Sequence, residues 1–286
     1  MTNRPGVPRL RSGRTGLGLL SAHPELPTTH LRVVQVLATA WLFTGQSLLW
    51  PTPPLAVIST LLCLGLLFSP FTRACALGLA LLIGLQIALS PTWFAHNRLF
   101  VASLLVMVSL TSRRFTWLPR VQVAVVYGVA AMDKLLEPAW RDGRFFESFI
   151  AQLARFGLMW SPAGHVGAPN TLASWLESHG SHPLWMLAGI LVIAGEFLLV
   201  LCFLGKWRIG AWLNAAFHVS VFAVTGSTMG QFFFAGAAAS LLLLEEKELP
   251  SAGTLVLLTI ALAGPWTHRF LPLALFLLLL VRARRR

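Results

Sequence analysis

The chemistry available to this chain of 286 residues rests on a few side chains that stand within or beside long apolar runs. They are Lys134 with its neighbour Asp133, Glu196, His218 and His96. A charge at the centre of a bilayer costs about 2.5–3.5 kcal/mol on insertion scales, so an ionisable residue kept at that depth points to a site. Desolvation disfavours an ammonium, and a lysine in apolar surroundings can therefore work as a base near neutrality. Imidazoles nearby can hydrogen-bond a substrate's oxygens or relay protons. Tyr127, the only tyrosine, shares a helical face with Ala131 and Lys134 at i, i+4 and i+7. Gly128, Ala130 and Ala131 allow a neighbouring helix or a ligand to come close. Asp133 points about 100° away from that face.

Each of these residues also has a plainer reading. Lys134, near a helix end, can snorkel to the outer headgroups or neutralise a buried acid such as Glu196. His218, beside Phe217 and Val219, reads equally as a hydrogen-bonded core histidine. Glu196 can serve as interhelical glue, and His96 as an interfacial loop residue.

The elements that must position these groups are membrane spans. Hydrophobic residues make up 56% of the chain and charged ones 11%, far below the roughly 25% of soluble domains. This excludes a soluble enzyme, a disordered chain, a coiled coil and a nucleic-acid module, despite the net charge of +12. Three cysteines without a CxxC or a Cys/His cluster give neither a disulfide framework nor a zinc site, and no metal is expected. Eight stretches approach the roughly 20 apolar residues that a span needs. They are Leu31–Trp50, Pro54–Phe68, Cys75–Ser90, Leu99–Leu110, Val121–Leu136, Leu184–Leu204, Ile209–Thr225 and Met229–Leu244. Two shorter stretches, Ser251–Ala263 and Phe270–Val281, form either two more spans or a hairpin that enters and returns. The fold class is therefore all-α, a polytopic transmembrane bundle of about 8–10 spans.

The chain divides into a basic tail (1–30), a transmembrane domain (31–281) and a basic terminal segment (282–286). No apolar signal-peptide core precedes the first span. With both termini cytoplasmic, 16 of the 22 lysines and arginines fall on the cytoplasmic side, five on the outer side, and Lys134 lies within a span. Trp50, Trp93, Trp140, Trp160, Trp185 and Trp266 mark outer ends of segments, and Trp117 and Trp207 inner ends, as in an aromatic belt. In this topology Glu196 lies about 12 residues into its span, or roughly 18 Å deep. The depths of Lys134, His96 and His218 in the outer half of the bundle are compatible with a single polar pocket with Glu196 at its floor, which depth alone does not establish. The single long loop, 137–182, faces outward. Phe145, Phe149, Leu153, Phe156 and Trp160 give its first half an amphipathic, interfacial helix, and a short helix is expected near Leu172–Glu177.

The run Tyr127-Gly-Val-Ala-Ala-Met-Asp-Lys-Leu135, followed by Trp140-Arg-Asp-Gly143, resembles a segment of the vitamin K-dependent gamma-carboxylases and of the wider bacterial HTTM (horizontally transferred transmembrane) family. Trp93-Phe-Ala-His-Asn97 with Leu99, Gly195-Glu196, and Phe217-His218 after the turn Gly205-Lys206-Trp207-Arg208 follow in the family's order. The likeness covers about Leu31 to Glu245. In those carboxylases the matching lysine deprotonates vitamin K hydroquinone. Its oxygenation yields the strong base that removes a glutamyl γ-proton before carbon dioxide adds. The resemblance implies Lys134 as base, with His96 and His218 orienting or stabilising the hydroquinone. Tyr127, Glu196 and Trp140 then contact vitamin K hydroquinone or another quinol. The chain departs from the pattern in having Asp133 where a second lysine stands and one more residue before Trp140. The carboxylases carry a large lumenal domain that binds the substrate propeptide; here the loop 137–182 is the outward element.

Two functions follow as expectations. One is a quinol-linked membrane enzyme in the bacterial inner membrane, with carboxylase- or epoxidase-like chemistry and a secreted or membrane peptide as substrate. The other is a non-catalytic membrane factor for maturation, immunity or assembly, in which the outer loop carries the function and Lys134 is dispensable. The lipid bilayer is the partner in both, and nucleic acid in neither.

Overall fold

The computed structural model describes residues 26–43, 53–68, 71–89, 95–111, 115–156, 171–225 and 230–263. Among these residues all regular structure is helical. In chain order the helices are α1 (Thr28–Phe43), α2 (Pro53–Phe68), α3 (Thr72–Leu89), α4 (Ala95–Leu110), α5 (Leu118–Leu136), α6 (Pro138–Arg141), α7 (Arg144–Phe156), α8 (Thr171–His179), α9 (His182–Gly205), α10 (Ile209–Thr225), α11 (Gly230–Ser240) and α12 (Ala252–Ala263). Two 3₁₀ turns, Leu241–Leu243 and Glu246–Glu248, join α11 to α12. Eight of the ten apolar stretches coincide with these helices to within a few residues, and Leu31–Trp50 does so as far as Phe43, residues 44–50 lying outside the described residues. The stretch Phe270–Val281, the basic segment 282–286, the tail 1–25 and the end of the interfacial helix at Trp160 lie outside the described residues.

Helix boundaries follow local chemistry. Pro119, Pro138 and Pro183 stand in the first turns of α5, α6 and α9, where a missing N–H costs nothing. α9 ends where Lys206 enters the left-handed region at φ 54°, and the amides of Lys206 and Trp207 both donate to the Cys202 carbonyl. Two helices, α3 and α9, are long and apolar enough to cross a membrane by length and composition. α1, α2 and α4 have 16 residues each, a rise of about 24 Å, short of a hydrocarbon core of about 30 Å. The stretches flanking several of these helices lie outside the described residues.

α5 packs along α9, α3 lies between α2 and α4, and α10 lies on α11, while α1 contacts α2, α4, α11 and α12. One apolar cluster runs through them, with Val33, Leu66, Leu79, Ile83, Leu104, Val123, Phe203 and Leu243 fully buried. Polar side chains tie neighbours together across it. Trp41 Nε1 donates to Ser59 Oγ at 3.1 Å between α1 and α2, and Gln122 Nε2 to Ser103 Oγ at 2.6 Å between α5 and α4. α9 also carries leucines outward at 187, 191, 198, 201 and 204, so it is apolar on both its packed and its exposed faces.

The region between α5 and α9 forms a smaller layer. α7 is amphipathic, as its pattern predicts, but its apolar face is closed by protein. Ile150, Leu153 and Ala154 pack on Ala173 of α8 and Trp185 of α9. Phe145, expected on that face, stacks on Phe149 one turn along and on Trp140 of α6. The short helix predicted near Leu172–Glu177 is α8.

Candidate functional site

The site is built on the face of α5 that meets α9. Tyr127 and Ala131 are buried there, and Asp133 is exposed on another face. Lys134, one turn further along, places Nζ 2.8 Å and 2.9 Å from the two carboxylate oxygens of Glu196, and 3.3 Å from the carbonyl of Ala130. The Glu196 side chain is 3% exposed and that of Lys134 18%. The lysine therefore faces protein, and the acid is the deeper member of the pair.

An aromatic layer covers this pair. Nζ of Lys134 lies over the Trp140 ring at 5.1 Å from its centroid, within cation–π range. Trp140 stacks on Phe145 at 3.7 Å and 16°, Phe145 stacks on Phe149, and Phe146 meets both Trp140 and Phe145 edge-on. The backbone explains how Trp140 comes to lie there. Gly143 ends the Trp140-Arg-Asp-Gly turn at φ 81°, and a Cβ on it would run into the Met186 amide of α9. Gly189 on α9 leaves room for the Trp140 carbonyl, which a Cβ would overlap. Asp142 closes the turn: its carboxylate accepts from Arg144 Nε at 2.6 Å and from the Arg144 amide at 3.1 Å. That hydrogen bond holds the Asp142 carboxyl below the usual carboxylate range. Beside the stack a cavity of about 420 Å³ is lined by Glu137, Pro138, Ala139, Arg144, Phe145 and Ser148.

Two turns back along α5, about 10 Å from Lys134 by helical rise, Tyr127 joins a buried polar network on α10 and α11. Asn214 Nδ2 donates to the Gly236 carbonyl at 2.7 Å and to Ser240 Oγ at 2.8 Å. With both amide protons used there, Asn214 Oδ1 accepts the Tyr127 hydroxyl proton. Tyr127 Oη is then the acceptor toward His218, which places the proton of that bond on Nε2. The imidazole lies against bare backbone, because a Cβ on Gly236 would overlap it.

The structure thus brings Lys134 to Glu196 and Trp140, and His218 to Tyr127, as two groups on one face of α5. His96 lies in the first turn of α4, and its side chain lies outside the described residues. Asn214, Ser240 and Gly236 were not among the residues singled out from the sequence. Asn214 had one visible signal, a polar residue one turn before His218 in an apolar run; Ser240 and Gly236 had none. Among the described residues no group of three or more His, Cys, Asp or Glu side chains is placed to hold a metal ion. No family model, curated protein or solved structure matches this chain.

Proposed function

We propose that the chain is a polytopic membrane protein of the HTTM and gamma-carboxylase-like kind, and that Lys134 is the base of a quinol-linked reaction in its outer half. The observation that carries this reading is the inward lysine, held by both oxygens of a buried glutamate beneath an aromatic ring. The two-faced apolar surface of α9 supports the membrane setting. The basic residues on alternate loops support an orientation with both termini cytoplasmic, which fits the proposed bacterial inner-membrane setting.

The residues present suit a quinol in kind. Trp140, Phe145 and Phe149 form an aromatic wall that suits a planar apolar ring, and Lys134 with Glu196 stands at the edge of that wall as an acid–base pair. A bound quinol supplies phenolic protons and reducing electrons. The chain's own part is proton handling. The 2.8 Å hydrogen bond gives a proton a direct path between Nζ and Glu196, so that the carboxylate can take the lysine's proton when a ligand needs a base. The free amine can then accept a proton from a ligand lying against Trp140. Tyr127, Asn214 and His218 fix the α5 face from below, and the α6–α7 layer keeps water from the pair.

The test compares wild-type protein with the Lys134→Ala and Lys134→Arg variants in nanodiscs, reading quinol oxidation or epoxidation. An arginine preserves an ion pair with Glu196 but does not give up its proton. Loss of turnover in both variants, with Lys134→Arg still folded, is the expected result. Turnover equal to wild type in folded Lys134→Arg would refute the base. It would favour the non-catalytic reading, in which the pair is a helix–helix latch and the outer loop carries the function.

A further inference from the structure

The turn from α5 into α7 brings two charged side chains to one cavity. Glu137 ends α5 and precedes α6, and its side chain makes no capping bond. Arg144 opens α7, which follows the left-handed Gly143. Both line the cavity of about 420 Å³, together with Pro138, Ala139, Phe145 and Ser148. The two charges are not equivalent. Arg144 is already paired, with Nε and Nη2 each 2.6 Å from Oδ2 of Asp142. Among the described residues Glu137 has no cationic partner, and neither has Asp133 one turn earlier on α5. In a chain of net charge +12, a carboxylate left unpaired at a cavity stands out.

The donors of the cavity are only partly used. A guanidinium carries five N–H groups, and Asp142 engages those of Nε and Nη2, which leaves the pair on Nη1. Ser148 Oγ accepts from Gln152 Nε2 at 3.3 Å, so its own hydroxyl proton is available to donate. The lining thus combines one net negative charge with N–H and O–H donors. A simple anion meets the charge of Glu137, and a simple cation leaves the donors unused. A small zwitterion satisfies both, with its ammonium on Glu137 and its oxyanion on Arg144 and Ser148. A second feature says what carries that zwitterion. Val125, Val129, Met132 and Leu136 follow one another at i, i+4, i+7 and i+11, each 44–69% exposed, and so form an apolar stripe along α5. The stripe rises roughly 16 Å and ends at the residue before Glu137. It lies on the side of α5 away from Tyr127 and Lys134.

We infer that this cavity holds the headgroup of a phospholipid bearing a primary ammonium, whose acyl chains run along the α5 stripe. Glu137 accepts from the ammonium, and Arg144 and Ser148 donate to the phosphate. The inference rests on the membrane setting proposed above, which puts this end of α5 at the level of the outer headgroups. It does not rest on the quinol chemistry of Lys134, so the two can fail separately.

The test uses the purified full chain, stripped of lipid in detergent. Its thermal midpoint is read as phosphatidylethanolamine, phosphatidylcholine or phosphatidylglycerol with matched acyl chains is added to the micelles. Phosphatidylethanolamine should stabilise most, because phosphatidylcholine has no N–H to give Glu137 and phosphatidylglycerol has no cation. Glu137→Gln should weaken the apparent affinity for phosphatidylethanolamine about three- to fivefold and bring it close to that for phosphatidylcholine. It should fold, since the side chain makes no capping bond. Ser148→Ala should weaken phosphatidylethanolamine and phosphatidylcholine alike, because both present a phosphate. Glu246→Gln, an exposed acid in the turn before α12, should match wild type. Glycerophosphoethanolamine, the headgroup without its chains, should bind far more weakly than the lipid; equal affinity would overturn the role of the stripe. Equal stabilisation by the three lipids, or an undiminished preference in Glu137→Gln, would overturn the inference. Release of the chain from membranes by an alkaline wash would refute the membrane setting and this site with it, whereas an embedded chain without headgroup preference would refute the site alone.

Discussion

The Lys134–Glu196 pair makes the sharpest energetic prediction, because its two members are unequally buried. Replacing Lys134 by Met leaves the Glu196 carboxylate, 3% exposed, without its countercharge. Breaking a buried pair from one side costs about 3–5 kcal/mol. Replacing Glu196 by Leu strands the amine instead. Lys134 is 18% exposed and two residues from the end of α5, so its four-carbon stem can carry the charge toward the polar surface. That loss should be nearer the cost of an unmade polar contact, about 1–3 kcal/mol. The double variant Lys134→Met/Glu196→Leu removes both charges and fills the space with apolar atoms, and such exchanges are often neutral or stabilising. The three variants and the wild type form a double-mutant cycle, measured by reversible unfolding in mixed detergent micelles with tryptophan fluorescence. The expected coupling is about 3 kcal/mol or more, well beyond the roughly 0.3–0.5 kcal/mol within which independent sites add. Additive costs, or a Glu196→Leu variant that loses more than Lys134→Met, would refute the claim that the acid is the deep and dependent partner.

Three further outcomes follow. Gly189→Ala should lower stability by about 1–3 kcal/mol, the usual cost of overpacking, because its Cβ would meet the Trp140 carbonyl; unfolding midpoints check this. Tyr127→Phe removes one hydroxyl but leaves Asn214 Oδ1 and the His218 Nε2 proton without it, so a loss of about 1–3 kcal/mol is expected, partly recovered in Tyr127→Phe/Asn214→Leu. The protection of the Arg144 amide, its exchange rate relative to that of an unstructured amide at the same pH, should be constant above the normal carboxylate range. It should fall as pH drops through the depressed Asp142 value, because a carboxyl held low in the folded state contributes stability above its unfolded pKa and loses it on protonation.

What could be read in advance divides along the line between local and tertiary information. Helix positions were legible because apolar length is local; α6, four residues with no apolar run of its own, was not. The shared face of Tyr127, Ala131 and Lys134 was legible for the same reason, being a property of one helix. Depth arithmetic put Glu196 within reach of Lys134 but left snorkelling equally open, since helix neighbours are not written in spacing. The packing of α5 along α9 decides that question. The Tyr127–Asn214–His218 network was not legible as a network. It needs α10 and α11 laid against α5, and its tightest fit is against Gly236, a residue that gives no sign of itself in a run of alanines. The second stacking partner of Phe145, Trp140, was not legible, because it belongs to a different element, brought close by a left-handed glycine at 143.

That turn links the two groups of polar residues to the surface. Trp140 touches the site through its ring and α9 through its carbonyl, and Gly143 and Gly189 let the turn lie directly against the α9 backbone. Any motion that exposes Lys134 to a ligand must therefore move α6 and α7 as one piece, because Trp140, Phe145, Phe146 and Phe149 are interleaved. The opposite side of that piece is pinned to α8 and α9 through Leu153, Ala173 and Trp185. Access to the lysine is thus governed by the α6–α7 layer rather than by a rotation of the lysine, whose charge is already committed to Glu196. Lengthening the turn between α5 and α6 would loosen this cover without touching either charge, so it should raise the reactivity of Lys134 toward an amine-directed acylating reagent while leaving the coupling in the double-mutant cycle intact.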